Sequence, residues 1–373
     1  MLRYLLFAPL LYLFACGQEI AAPDDSATPA VEIPASDSLP GLPAVPSAID
    51  IWIHPALPFN SMVLVTDKSG ARSYNAEDGN PVAELSAAPI GAAAVGYFGA
   101  GPQAVGVLVA HIADEQAVRL FEIDNVSRRF KPIEGRIPVR GEVRDICIGA
   151  GDGGNLRLHI LQKADLFRYD LALEAGQISA SGSPAIRLDN DIGACVIDIV
   201  TGNLFLASEG DIFAFDMAGE AIESFVSLGF SRAPGLGLII QNTEDPASPR
   251  RSAVVAADIS TGAFHFYDAT DGHALGAVKM AATDELAGVE TIFNFSVSGS
   301  NLGGLYRNGA IIVATNPTGE NAVASLRFAP TASAFNALSL PLGTPFDPRG
   351  SVPNPDADSE DLEFLIPTTF QPE

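Results

Sequence analysis

The chain has 373 residues, enough for one large domain or two small ones, and 47% of them are hydrophobic. It carries 45 acidic against 21 basic residues, a formal net charge of −24. That excess repels nucleic acid and anionic lipid, and it admits a polyanionic substrate only where bound cations reverse the local sign.

The first sixteen residues, "MLRYLLFAPLLYLFAC", hold one positive charge, Arg3, and then an apolar run from Tyr4 to Ala15. The run is too short to span a bilayer comfortably and fits the core of a signal peptide. It ends in Leu13-Phe14-Ala15-Cys16. A small residue just before a cysteine resembles the bacterial lipobox, which implies cleavage before Cys16 and a lipid on that thiol. Gly17 follows, not an aspartate; by resemblance to bacterial sorting rules this implies a lipid-anchored protein of the cell envelope, at the outer membrane. Residues 17–47 are Ala, Pro, Ser and acid with almost nothing to bury, so a disordered tether is expected.

From 48 to 342 the chain reads as strand after strand. "SMVLVTD", "VGVLVAHI", "LRLHILQ", "NLFLASE", "DIFAFDM", "SAVVAAD", "AFHFYDA" and "GAIIVATN" are short and rich in β-branched or aromatic residues. Gly, Asn, Asp and Pro separate them, as in "DKSGA", "AEDGNP" and "ATDGH". No helical periodicity stands out after the signal peptide, so the class is all-β. Strands ending in an aromatic plus an acid or Asn recur at Tyr74-Asn75, Phe121-Glu122, Tyr169-Asp170, Phe215-Asp216 and Tyr267-Asp268, in steps of 47, 48, 46 and 52 residues. A weaker sixth unit falls at Leu326-Arg327-Phe328. Repeats of ~40–50 residues with about four strands each point to a β-propeller, here with six blades in one cooperative domain.

Cys147 and Cys195 stand one unit apart, 48 residues, at matching places in the repeat. Two small buried thiols are the expectation, and a bridge between adjacent blades is the alternative. Neither C-x-x-C nor another zinc spacing is present. An acidic, Pro-rich segment, 343–373, ends the sequence, with closure on the last blade a role open to it.

The first unit holds Ile51-Trp52-Ile53-His54-Pro55, Ser61, the apolar run to Val65, Thr66-Asp67-Lys68, Gly70 and Tyr74. Together these resemble the opening blade of the β-propeller phytases (3-phytases). Weaker matches in "DIGACVIDIVTGNLFLASEGDIFAFD", "AVVAADISTGAFHFYD" and "GAIIVATN" extend the resemblance over nearly the whole body. The family hydrolyses phytate, a ring of phosphates, with calcium ions gathered by carboxylates and with a lysine and an arginine on phosphate. Carried over, the resemblance implies phosphate binding by Lys68 and leaves Asp67, Glu209, Glu285 and Glu290 as metal-ligand candidates. Solvated turn charges are the plainer account of the three glutamates. His54, before Pro55, reads as a structural turn residue.

The departures weigh against the chemistry. Ser47-Ala48, Ile192 and Ala233-Pro234-Gly235 stand where the family has acids; "APIGAAAVGYFG" has none; Ala110-His111-Ile112 replaces the phosphate-binding arginine. Such side chains cannot ligate a hard cation, so calcium binding is expected to be weak or absent. Two functions remain open: weak or absent hydrolysis of phytate or another phosphate ester, and a non-catalytic propeller that binds a ligand or an envelope protein. The residues lean to the second.

Overall fold

The computed structural model describes residues 29–350, apart from residues 40, 87–88, 184, 189–190, 217–220, 231–232, 234, 246–247 and 317–323. The expected signal segment with Cys16 and the end of the chain, 351–373, lie outside the described residues.

Six small sheets form a ring, a six-bladed β-propeller. The innermost strand of each blade touches that of the next, and the sixth touches the first. Blade 1 runs outward as Ala48–Trp52, Met62–Asp67, Gly70–Asn75 and Pro81–Ser86. Blade 2 is Ile90–Phe98, Val105–Ile112, Ala117–Ile123 and Phe130–Pro132; blade 3 is Asp145–Ala150, Leu156–Gln162, Asp165–Glu174 and Gln177–Gly182. Blade 4 is Ile192–Ile197, Leu204–Ser208, Asp211–Phe215 and Ala221–Ser227; blade 5 is Leu236–Asn242, Arg250–Asp258, Ala263–Asp268 and Ala274–Ala281. Blade 6 draws only Asn294–Val297, Ala310–Thr315 and Ser325–Pro330 from its own stretch of sequence.

Every recurring aromatic mark falls on the third strand of its blade. The polar residue beside it has a local task. Asn75 Oδ1 accepts from Glu77 N–H at 2.9 Å, and Asp268 Oδ1 from Thr270 N–H at 2.8 Å. These side chains mimic a backbone turn and hold the hairpin to the outer strand. Alternation sends the aromatic or aliphatic partner into the seam between sheets. Between blades 1 and 2 the seam holds Trp52, Met62, Leu64, Leu108 and Phe121; between blades 5 and 6 it holds Phe264, Phe266, Phe295 and Val313. Trp52 is fully buried against Gly106, where an added Cβ would stand 2.2 Å from Nε1.

Three findings differ from the sequence reading. The described part of the expected tether, residues 29–47 apart from 40, carries two strands. Val31–Pro34 lies parallel to the outer strand of blade 5, and Asp37–Leu39 pairs antiparallel with Ser325–Pro330 as the outer strand of blade 6. Ile33, Leu39 and Leu42 bury themselves, few residues but sufficient for edge strands where prolines are tolerated. The N-terminal segment therefore closes the ring.

Secondly, a helix, Thr331–Ala337, follows the last blade strand and inserts Ala334 and Phe335 into the core. The chain then pairs Thr344–Pro345 with the end of Leu236–Asn242, in blade 5. From there it crosses one mouth of the ring: Phe346 is buried, and Gly101 N–H in blade 2 donates to Arg349 O at 2.7 Å. Thus the described part of the C-terminal segment lies across the channel and does not complete blade 6.

Thirdly, Cys147 and Cys195 do occupy innermost strands of adjacent blades, but they are bonded to each other, with Cα atoms 6.0 Å apart. The expectation of two free thiols is corrected. Equivalent positions on neighbouring innermost strands stand at the separation a disulfide needs.

Candidate functional site

The register assigns the candidate residues to ends of the ring. Ala48 pairs with Thr66, and Asp67 with Gly70, so Lys68 sits in a turn at the end where the innermost strands begin. Ile192 pairs with Ser208, which puts Glu209 at that same end in blade 4. Glu285 and Glu290 lie in the connection from Ala274–Ala281 to Asn294–Val297 and share it too. Lys68, Glu209, Glu285 and Glu290 are all exposed. One end of the propeller therefore carries Lys68 and the metal-ligand candidates Asp67, Glu209, Glu285 and Glu290, on three sectors of its rim; Cys16 lies outside the described residues.

Asp67 differs from the others. Only 2% of it is exposed. Its Oδ1 accepts from the backbone and hydroxyl of Ser69, and its Oδ2 accepts from Arg72 Nη1 at 2.8 Å. Burial pushes its pKa up, but Ser69 and the Arg72 guanidinium outweigh burial and hold it below the usual carboxylate range. The carboxylate is thus committed to shaping the turn that presents Lys68.

A hard cation takes six to eight oxygens. Among the described residues, the one group of three or more His, Cys, Asp or Glu side chains close enough to share an ion is Asp145, Cys147 and Cys195, and its two sulfurs are bonded to each other. The residues present do not fit a tight calcium site. Ile192 is buried, Gly235 lines the channel without a side chain, and Ala110, His111 and Ile112 are buried within blade 2.

The channel encloses a cavity of about 300 Å³, lined by the innermost strands of all six blades and by Phe346 and Pro348. Two carboxylates stand in its wall. Asp50 accepts from Ile51 N–H at 2.7 Å and, across the seam, from Val95 N–H of blade 2 at 2.6 Å. Asp145 repeats the arrangement from blade 3 to blade 4, accepting from Ile146 N–H at 2.8 Å and Cys195 N–H at 2.9 Å. Asn294 of blade 6 donates to Ser47 O at 3.1 Å, spanning the seam to blade 1. Burial pushes the pKa of Asp50 up to about 6 and that of Asp145 up to about 7, the Asp50 charge adding to the latter, while the backbone bonds hold both lower. These acids are clips between blades.

Asp145 was not singled out from the sequence. The signal was there: Ile49-Asp50-Ile51 and Arg144-Asp145-Ile146 place an aspartate before an isoleucine two blade steps apart. His54 behaves as expected: its Nδ1 accepts from Ala56 N–H at 3.1 Å and Leu57 N–H at 3.0 Å, fixing the turn after Trp52.

No model of a known protein family and no curated protein matches this chain.

Proposed function

We propose that this protein is a phytase-like propeller held at the bacterial cell envelope, most simply at the outer membrane, by a lipid on Cys16. In this reading it meets phosphate esters with the end of the ring that carries Lys68, and its hydrolysis of phytate, the 3-phytase reaction, is weak or absent. The observation that carries the reading is the exposed Lys68 ammonium on a turn braced by Asp67, Ser69 and Arg72. A lysine so presented is a point charge that can engage a phosphate oxygen without cost to the fold. The family resemblance is specific in the first-blade residues, which span the three inner strands of that blade, and moderate over the rest of the body.

A second reading, a non-catalytic propeller that binds a ligand or an envelope protein, is favoured by the fate of the acids. Asp67, Asp50 and Asp145 are each tied to two or more donors of the protein itself. That leaves the exposed Glu209 in one loop and Glu285 and Glu290 in another as the remaining candidates for a metal.

One experiment separates the two readings. Phosphate release from phytate is followed while calcium is titrated, in the wild type and in Lys68→Ala. The first reading expects slow release that falls further in Lys68→Ala. Release at the rate of an intact family member, dependent on calcium, would overturn the proposal of a weakened site. No release, with phytate still bound through Lys68, selects the non-catalytic reading.

A further inference from the structure

The seam between blades 3 and 4 contains a second polar feature, two blades away from Lys68. His159 on the second strand of blade 3 is directly opposite Arg168 on the third strand, so both side chains leave the same face of the sheet. Arg157, two residues before His159, shares that face. The three line a small cleft closed on the other side by Leu204 and Phe215 of blade 4.

His159 is only 7% exposed, yet its Nδ1 has no hydrogen-bond partner among the described residues. Buried Arg168 Nε has none either. Arg157 Nε is used by Asp170 Oδ1 at 3.2 Å. Asp216 also lines the cleft and is engaged in an interaction of its own. Arg168 Nε–H can only donate, and burial without an acceptor costs it ~1–3 kcal/mol; with its single imidazole proton on Nδ1, His159 is a second donor to the same space. What fills the gap must be an acceptor, which excludes a cation. Burial first, and then the charges of Arg157 and Arg168 against the opposing Asp170, push the pKa of His159 down to about 4, so its surrounding charge is net positive. Asp216 in the same wall offsets part of that charge and Arg157 is taken by Asp170, but Arg168 has no ion pair among the described residues, and a partly desolvated guanidinium favours an anion over a neutral water. The cleft holds about 30 Å³. That accommodates a sphere little larger than water, for which ~10–15 Å³ by the same measure suffices. A tetrahedral oxyanion is too large.

We infer that this cleft is a binding site for a small monovalent inorganic anion of chloride size, held by His159 Nδ1–H and Arg168 Nε–H beneath the arginine side chains. The ion would complete the seam between blades 3 and 4 from its outer half, where the disulfide and Asp145 already secure the inner half.

The test uses the full chain in sodium chloride, sodium bromide and sodium gluconate at equal ionic strength. The melting temperature should rise with either halide relative to gluconate, and the rise should saturate. Crystals soaked in bromide should give an anomalous peak against His159 Nδ1. Arg168→Gln and His159→Phe should each remove the halide-specific rise; the second fills the cleft with an apolar ring, so its fold does not depend on the ion. Lys131→Gln, at an exposed ion pair on blade 2, should keep the rise in full. Equal melting temperatures in halide and gluconate, a water in place of the bromide peak, or a halide effect that survives in His159→Phe would each overturn the assignment.

Discussion

The Cys147–Cys195 bridge closes a segment of 48 residues. In the chain-entropy account, a closed segment of that length removes about 4 kcal/mol of conformational freedom from the unfolded state at 25 °C. Replacing both cysteines by alanine leaves the backbone clip intact, because Asp145 takes its hydrogen bond from the Cys195 backbone N–H and not from sulfur. The loss should therefore come mainly from the unfolded state. It is large beside a typical domain stability of ~5–15 kcal/mol. Urea unfolding followed by Trp52 fluorescence is the assay. Trp52 is the only tryptophan, fully buried in blade 1, two seams from the bridge. It reports whether the whole ring fails and not merely the seam that lost its bond. The expected result is a drop of about 4 kcal/mol in the extrapolated stability of Cys147→Ala/Cys195→Ala. A drop below about 1 kcal/mol, or two alkylatable thiols in the unfolded wild type, would refute the reasoning.

Other expectations follow from the same structure. The pKa values of Asp50 and Asp145 are raised in the folded state to about 6 and about 7, above the ordinary 3.8. The native protein thus holds protons that the unfolded chain releases; this stabilisation is full below about pH 4 and is lost as the pH climbs through 6 and 7, at up to ~1.4 kcal/mol per pH unit for each proton. Urea midpoints at pH 5 and pH 8 should differ in that sense, and Asp145→Asn should shrink the difference; a midpoint that rises over this interval would contradict it. Lys68→Ala should shift the melting temperature negligibly, since Lys68 is exposed at a turn, while weakening the retention of phosphate esters. Millimolar calcium should raise the melting temperature little, against the ~2.7 kcal/mol that a hundredfold excess over the dissociation constant would confer on a protein with tight sites. Cys16→Ser should release the mature protein from the membrane fraction; retention of the variant there would end the lipid-anchor proposal.

The ring was legible because a propeller repeats a chemical sentence. Aromatic and turn-capping residues must recur on the third strand of each blade, and Tyr74, Phe121, Tyr169, Phe215, Tyr267 and Phe328 all do so. The closing strand was not legible. Its four apolar residues, Val31, Ile33, Leu39 and Leu42, are diluted by Pro34, Pro43 and acids, and an outermost strand needs only one face to be buried. The disulfide was ambiguous because one repeat step separates two buried thiols as readily as a bonded pair; only the Cα separation decides. The seven-residue helix Thr331–Ala337 is too short to show periodicity. Of the candidate site, Lys68, Glu209, Glu285 and Glu290 were named by resemblance, whereas their common end of the ring required the strand register and the commitment of Asp67 to Arg72 the geometry of the turn.

The strand Asp37–Leu39 also has a bearing on how the protein is made. Ser36 Oγ donates to Phe328 O across 292 positions of sequence, so the contact that seals the ring joins the start of the described chain to the third strand that blade 6 draws from its own stretch. A chain emerging from the ribosome can form blades in turn, but it remains an open arc with two uncovered apolar sheet faces until the sixth blade is out. Premature termination anywhere before residue 325 leaves that arc permanently unclosed, a template for aggregation and a substrate for proteases. The delay is built into the topology: the contact that locks the ring waits for the last blade strand the chain makes.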